Sequence, residues 1–118
     1  MGFSRHKLLF NDQVFTSRKR WGLTKDRISI EDKFFESGRS SVFTDETNFY
    51  KLIKTKNYIR SNYRLLLGKS RATDEVLGNQ KLGELGLLVP ELKYHGASLF
   101  AKHHNEILVF EKLNHVTT

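Results

Sequence analysis

The chain of 118 residues has no cysteine, a single proline and no long apolar run. The lack of cysteine and the lack of a long apolar run each exclude a class of protein. Without cysteine there is neither a disulfide framework nor a thiolate metal site, which fits a reducing compartment. The longest apolar run, LGLLV, is far shorter than the roughly 20 residues that a membrane-spanning helix needs. The first residues, MGFSRHKLLFNDQVF, lack the apolar core and cleavage site of a secretory leader. We therefore expect a cytoplasmic protein.

Basic side chains outnumber acidic ones, and they are unevenly distributed. The net charge is +7, with 20 Lys and Arg against 13 Asp and Glu. Residues 1–27 carry seven basic and two acidic side chains, residues 51–71 carry seven and none, and the remainder carries six and eleven. Two basic segments of this kind are typical of proteins that bind phosphates, nucleic acids or anionic membrane surfaces.

The pattern of apolar residues changes near residue 28. Residues 1–27 mix charges and aromatics without a clear period, which predicts an irregular basic arm with at most one short helix. Residues 28–118 are predicted to form a single domain. Short breaks around Gly38 and Asp45 favour antiparallel hairpins. Alternation predicts five strands, in RISIEDKFFES, SVFTDE, NFYKLIKT, ELKYHGASLFA and EILVFEKL.

Between the third and fourth predicted strands lie a basic segment and a helix. The segment KNYIRSNYRLLLGKSR is interpreted as a connection, with Leu65–Leu67 packed on the core. The next stretch, ATDEVLGNQKLGELG, predicts a helix whose early acids Asp74 and Glu75 complement the helix dipole. Gly86 stands where a left-handed residue would end that helix. The fold predicted is α+β, a five-stranded antiparallel sheet with one main helix.

A lysine interrupts the apolar strand in NFYKLIKTK. Lysine is depleted in strands and rarely buried without a partner, so Lys51 lies on a solvated face or is held for a charged group. Period two places Phe49, Lys51 and Ile53 on one face. A carboxylate from another element would satisfy Lys51, and Glu75 on the predicted helix is the best candidate. Lys54, on the same strand, is the alternative lysine.

These segments together resemble the N-terminal lobe of the protein-kinase-like fold, and in detail the lipopolysaccharide core (Kdo/heptose) kinase family. The matching segments are NFYKLIK for the lysine strand, DEVLGNQKLGELGLLVPEL for the helix and its exit, and ILVFEKL for the strand that enters the hinge. In the helix segment the family pattern of glutamate, leucine, glycine and proline is met by Glu75, Leu82, Gly86 and Pro90. The resemblance covers residues 28–113.

The resemblance implies an ATP site with a role for each element. Lys51 would hold the α- and β-phosphates, and Glu75 would orient Lys51. The turn SGRSS, with Gly38, Ser40 and the adjacent serine, would cover the phosphates. Backbone groups from Glu111 to Leu113 would bind adenine. Mg²⁺ would bridge the phosphates in the presence of the second lobe.

The activity implied by the resemblance is ATP-dependent phosphorylation of a lipopolysaccharide core sugar at the inner face of the cytoplasmic membrane. The implied partners are ATP, the lipopolysaccharide core and an anionic membrane surface. In this family the catalytic and metal-binding aspartates lie in a second lobe after the hinge, whereas this sequence ends at Thr118. We expect a truncated kinase that is not catalytic alone, and that pairs with a missing second lobe or another copy of itself.

Two other functions remain open from the residues alone. In the basic segment, Tyr58 and Tyr63 alternate with Arg60 and Arg64, which favours a small nucleic-acid-binding domain. A non-catalytic protein-interaction module is the third reading. The five histidines fit no metal-binding motif, so we expect no metal site in the chain itself.

Overall fold

The structure is a computed structural model that describes residues 6–17, 22–23, 25–30, 33–36, 38, 40–45, 47–55, 57–67, 71–86 and 90–111. Within these residues it contains eight strands and two helices. In chain order they are β1 (His6–Phe10), β2 (Gln13–Ser17), β3 (Arg27–Ile28), β4 (Lys33–Glu36), β5 (Ser40–Thr44), β6 (Asn48–Lys54), α1 (Tyr58–Leu67), α2 (Arg71–Glu84), β7 (Leu92–Ala97) and β8 (His104–Glu111).

All eight described strands belong to one sheet, in the order β3-β1-β2-β7-β8-β6-β5-β4. Neighbouring strands are antiparallel except for β1 and β3, which are parallel. The predicted α+β class is confirmed. The prediction of a five-stranded antiparallel sheet with one main helix is wrong, because three further strands extend the sheet beyond β7 and a second helix precedes α2.

The interpretation of residues 1–27 as an irregular arm is wrong for residues 6–17, which form the β1–β2 hairpin. Leu8, Phe10 and Phe15 alternate along the two strands and are buried. Asn11 and Asp12 have φ values of 46° and 70°, and such residues tolerate the left-handed turns that close two-residue hairpins. Burial of the alternating apolar residues therefore outweighs the surrounding charges.

The β1–β2 hairpin joins the rest of the sheet through a narrow seam. Among the described residues, Thr16 and Ala97 are the one pair in register between β2 and β7. The hydroxyl of Tyr94 reaches across the seam and donates to the backbone oxygens of His6, at 2.9 Å, and Phe15, at 3.3 Å. A Cβ added at Gly96 would lie 2.6 Å from the Tyr94 ring, so glycine at this position makes room for the tyrosine.

The interior strand β6 separates two apolar clusters, one on each face of the sheet. Tyr50 and Leu52 point into the larger cluster. Ile53 points to the opposite face, where it packs with Leu108, and Val76 of α2 packs against this smaller cluster. Period two predicts this division of β6, and it places Lys51 on the face that α2 covers. The larger cluster is built from Leu8, Phe10, Phe15, Leu23, Ile28, Tyr50, Leu52, Tyr94, Ile107 and Val109.

The two helices differ in how well the sequence predicts them. The α2 helix is confirmed, and the turn that terminates it contains Gly86, whose φ is 85° and whose N–H donates to the Gly83 oxygen at 3.0 Å. The interpretation of KNYIRSNYRLLLGKSR as a connection is wrong, because residues 58–67 form α1. The Asn57 side chain caps this helix by accepting from the Arg60 N–H at 2.9 Å. Leu65 is buried as predicted, but the next two leucines are exposed.

Candidate functional site

The candidate site centres on an ion pair between β6 and α2. Lys51 Nζ donates a hydrogen bond to Glu75 Oε2 at 2.7 Å. The two side chains come from positions 24 residues apart in the chain. Lys51 projects from the α2 face of β6, and Glu75 lies one residue before Val76, which packs on the sheet. The structure thus brings together the two residues that the sequence predicts as partners.

The ion pair is accessible to solvent. The side chains of Lys51 and Glu75 retain 31% and 33% of their exposure. Ion pairs of this exposure contribute about 0–1 kcal/mol to stability, because water screens the charges and side-chain entropy opposes the contact. The pair is therefore a weak source of fold stability. An ammonium group has three donors, and the contact with Glu75 uses one of them.

Strand register shows what surrounds Lys51 on its face. Across four strands, Val42, Lys51, Leu108 and His95 lie opposite one another in a row. Facing residues on neighbouring strands are about 5 Å apart, so the lysine lies between two apolar side chains. His95 lies two strands away, at about 10 Å by strand spacing.

A second polar pair occupies the same face and has no signature in the sequence. Glu106 lies two residues before Leu108, and its Oε2 is 3.1 Å from His95 Nε2. Glu106 is 2% exposed. A buried carboxylate needs a hydrogen-bonding partner, and His95 on the adjacent strand supplies one. Glu106 stands at the end of a polar stretch in the sequence, so only strand pairing shows that it is buried.

The segment SGRSS, predicted as a turn that covers the phosphates, leads into β5, and its last two serines are already paired residues of that strand. Gly38 is exposed, and a Cβ added there would meet nothing within 4 Å. Ser40 is buried and lies opposite Ile53, which makes it a diagonal neighbour of Lys51 on the same face. Ser41 is buried on the other face, with its Oγ 3.5 Å from His104 Nε2. The turn is thus near the lysine, but its serine hydroxyls lie inside the fold.

Lys54, the alternative lysine, is placed differently from Lys51. It is the last residue of β6 and lies opposite His104, after a register shift that follows Ile53. Glu75 of α2 contacts Lys51, which lies three residues before Lys54 on the same strand. The geometry therefore favours Lys51 as the lysine oriented by α2.

The predicted adenine-binding segment begins at the end of β8. The backbone N–H of Glu111 donates to the Glu91 oxygen at 2.9 Å. The Glu111 side chain lies 3.7 Å from Lys93 Nζ. The Glu111 N–H is therefore already hydrogen-bonded within the fold. Leu113, the other end of the predicted segment, lies outside the described residues.

A hydrogen-bonded turn fixes the start of the lysine strand. The Tyr50 hydroxyl donates to Asp45 Oδ2 at 2.6 Å, and the N–H groups of Thr47 and Asn48 donate to Oδ1. Burial alone would raise the pKa of Asp45, but these hydrogen bonds outweigh it and lower the pKa. Burial, followed by the hydrogen bond to Asp45, raises the pKa of Tyr50 above its usual range. The turn thus holds an ionised aspartate against a neutral tyrosine.

Two negative findings apply to the part of the chain that the structure describes. No group of three or more His, Asp or Glu side chains is arranged to hold a metal ion. No helix there is long and apolar enough to cross a membrane. His103 lies in the turn between β7 and β8 as predicted, whereas His104 begins β8.

Comparison with known proteins adds no relative to this description. The chain matches no protein-family model, no curated protein and no solved structure.

Proposed function

We propose that the chain is the nucleotide-binding lobe of an ATP-dependent sugar kinase of the lipopolysaccharide core type. The observation that carries the proposal is the 2.7 Å contact between Lys51 on β6 and Glu75 on α2. In protein kinases a strand lysine that contacts the phosphates must be paired with a helix glutamate for activity. Because the ion pair contributes little to stability, we attribute the pairing of Lys51 with Glu75 to phosphate binding.

In this proposal Glu75 orients Lys51 and Lys51 binds the phosphates. One N–H of the ammonium group donates to Glu75, and the remaining donors are available to phosphate oxygens at the exposed end of the side chain. A charge–charge contact at 4 Å is worth about 1 kcal/mol in water and about 4 kcal/mol near a protein surface. The apolar neighbours Val42 and Leu108 favour a contact energy near the larger of these two values, because they displace water from beside the lysine.

The family resemblance supplies the other contacts of the proposed nucleotide site. Adenine would bind backbone groups between Glu111 and Leu113 other than the Glu111 N–H, which already donates to the Glu91 oxygen. The turn at Gly38 would lie over the phosphates, and the Ser40 hydroxyl would take part only after the turn moves, because it is buried.

Phosphoryl transfer would need groups beyond those described. Mg²⁺ would bridge and neutralise the phosphates, as in other kinases. The described residues offer no carboxylate cluster that fits this ion. In the family, the metal-binding and catalytic aspartates follow the hinge. The function proposed for residues 28–113 is therefore nucleotide binding, and the sugar acceptor belongs to the complete site.

Titration of ATP against the chain by calorimetry tests the proposal. We expect Lys51→Met to weaken ATP binding by about tenfold or more, the cost of one charge-assisted contact to phosphate. Lys54→Met is the matched control, because it removes the same charge from the same strand, and it should leave the affinity unchanged. Glu75→Gln should give an intermediate loss. If Lys54→Met abolishes binding and Lys51→Met does not, the lysine is wrongly assigned. If neither variant matters, the kinase proposal fails.

The second candidate function, nucleic-acid binding, is favoured by one feature of α1. Tyr58 and Tyr63 are exposed there, next to Arg60 and Arg64. Exposed aromatic rings can stack on bases while arginines contact phosphates. Affinity for a single-stranded oligonucleotide should then fall steeply between low and physiological salt. Binding that persists at physiological salt and depends on the adenine base would favour the kinase lobe.

A further inference from the structure

The exposed side of α1 is apolar. Ile59, Tyr63, Leu66 and Leu67 follow helical spacing i, i+4, i+7 and i+8, so they form one stripe. These side chains are 52–79% exposed. The opposite side of the helix holds it to the fold through Leu65, which is 3% exposed. A surface helix of a globular domain normally points its apolar stripe inward, whereas α1 presents a second stripe outward.

A strained aromatic residue lies beside this stripe. Phe100, in the turn between β7 and β8, has a φ of 65° and is 66% exposed. Its backbone N–H donates to Asn62 Oδ1 at 2.7 Å, which attaches the turn to α1. Ile59 and Leu66 lie three residues before and four residues after Asn62, on its flank of the helix. A bulky side chain in the left-handed region is strained, and the fold retains this strained residue with its aromatic ring in solvent.

Charge identifies the kind of partner. Arg60 and Arg64 are exposed on the flank of the stripe away from Asn62. Residues 51–71, which include the whole helix, contain seven Lys and Arg and no acidic residue. An apolar stripe bordered by arginines complements a surface that has an apolar interior and negative headgroups.

We propose that Ile59, Tyr63, Leu66, Leu67 and Phe100, here called the α1 patch, dock the protein onto an anionic lipid bilayer. The aliphatic and aromatic side chains enter the headgroup–acyl boundary, and Arg60 and Arg64 contact lipid phosphates. The helix lies in the plane of the surface and does not cross it. This inference does not depend on ATP binding at Lys51.

Two other occupants fit the α1 patch less well. Three of its five side chains are aliphatic, and aliphatic groups cannot stack on bases as a nucleic acid would require. A second copy of the chain would bring two acid-free segments of charge +7 together, and like charges oppose that contact. An anionic bilayer satisfies both the apolar and the charged side chains.

Vesicle co-sedimentation of the whole chain tests the proposal. We expect binding to phosphatidylcholine vesicles that contain phosphatidylglycerol, and much weaker binding to phosphatidylcholine alone. The combined change of Ile59→Ser and Leu66→Ser should lower partitioning by about tenfold or more, because two exposed apolar groups no longer enter the lipid. Leu77→Ser is the matched control, since Leu77 is an exposed leucine on α2 outside the patch. It should leave partitioning unchanged.

Two further variants distinguish the contributions of charge and of backbone strain to vesicle binding from the contribution of apolar contact. The combined change of Arg60→Gln and Arg64→Gln should reduce binding by about tenfold at low salt and by less at high salt. Phe100→Gly removes an apolar ring and relieves the left-handed strain, so vesicle binding should fall while resistance to denaturant rises. A purely structural role for Phe100 would instead lower both quantities or neither.

Three results would overturn the proposal. The first is absence of binding to vesicles with phosphatidylglycerol. The second is equal binding by the wild type and the Ile59→Ser, Leu66→Ser variant. The third is an oligonucleotide complex, or a dimer in sedimentation velocity, that the same two substitutions abolish while vesicle binding is unchanged. The third result would assign the α1 patch to nucleic acid or to a second copy.

Discussion

The two faces of β6 use alternate residues of one short strand for different purposes. On one face Tyr50 and Leu52 are nearly completely buried in the larger apolar cluster. On the other face Lys51 and Ile53 meet α2, and the lysine remains about one-third exposed. Burial determines stability on the first face, whereas an accessible charge is available for binding on the second. Stability and ligand binding should therefore respond to different substitutions, although the residues are adjacent in sequence.

The largest expected effect is a loss of stability on the larger-cluster face. Leu52→Ala should lower the free energy of unfolding by about 2–5 kcal/mol, because it removes buried methyl groups and leaves a cavity. Denaturant unfolding followed by circular dichroism measures the change. A loss below about 1 kcal/mol would contradict the assignment of this face as the main source of stability.

The next effect distinguishes the two polar pairs on the α2 face. His95→Ala should cost about 1–3 kcal/mol, because it removes one hydrogen-bonding partner of a carboxylate that is 2% exposed. The matched control is Lys51→Ala, which leaves the solvated Glu75 and should cost less. Equal costs for both substitutions would show that burial does not separate the two pairs.

A pH-dependent effect tests the turn that begins β6. The lowered pKa of Asp45 means that its ionised form stabilises the fold above the unfolded value of 3.8, and this contribution is lost as the pH falls through the lower folded pKa. Tyr50→Phe removes one lowering hydrogen bond, so it should cost about 1.5 kcal/mol at neutral pH and less in strong acid. Unfolding midpoints measured between neutral and acidic pH test this. A cost that does not change with pH would contradict it.

The smallest expected stability effect is that of Lys51→Met. It should change the free energy of unfolding by less than about 1 kcal/mol, because the ion pair is solvated and the methionine stem packs beside Val42 and Leu108. ATP affinity should nevertheless fall, as proposed above. A variant that loses several kcal/mol would make the ion pair a structural feature and would remove the main argument for a phosphate site.

A feature of the structure could be predicted from the sequence when its physical signal lies within short segments of the chain. The Lys51–Glu75 contact could be predicted, because strand period and helix position are both visible in short segments. Helix α1 carries a local signal as well, because Ile59, Tyr63 and Leu66 follow helical spacing, but the basic residues among them favour the interpretation as a connection. The β1–β2 hairpin was obscured by its charged neighbours, and the Glu106–His95 pair depends on register between two strands.

The seam between β2 and β7 has a consequence for how the molecule opens. Among the described residues, one pair in register joins β2 to β7, whereas β6 and β8 are paired over seven positions. The hairpin is also held by the Tyr94 hydroxyl, by the Gln13 side chain, which donates to the His104 oxygen at 2.6 Å, and by its share of the larger apolar cluster. Units with fewer cross-connections open at lower free energy than the whole domain. Amide hydrogens of β1 and β2 should therefore exchange with deuterium sooner than those of β6 and β8. The sheet is continuous in space, but we expect its backbone hydrogen bonds to open first on the N-terminal side of this seam.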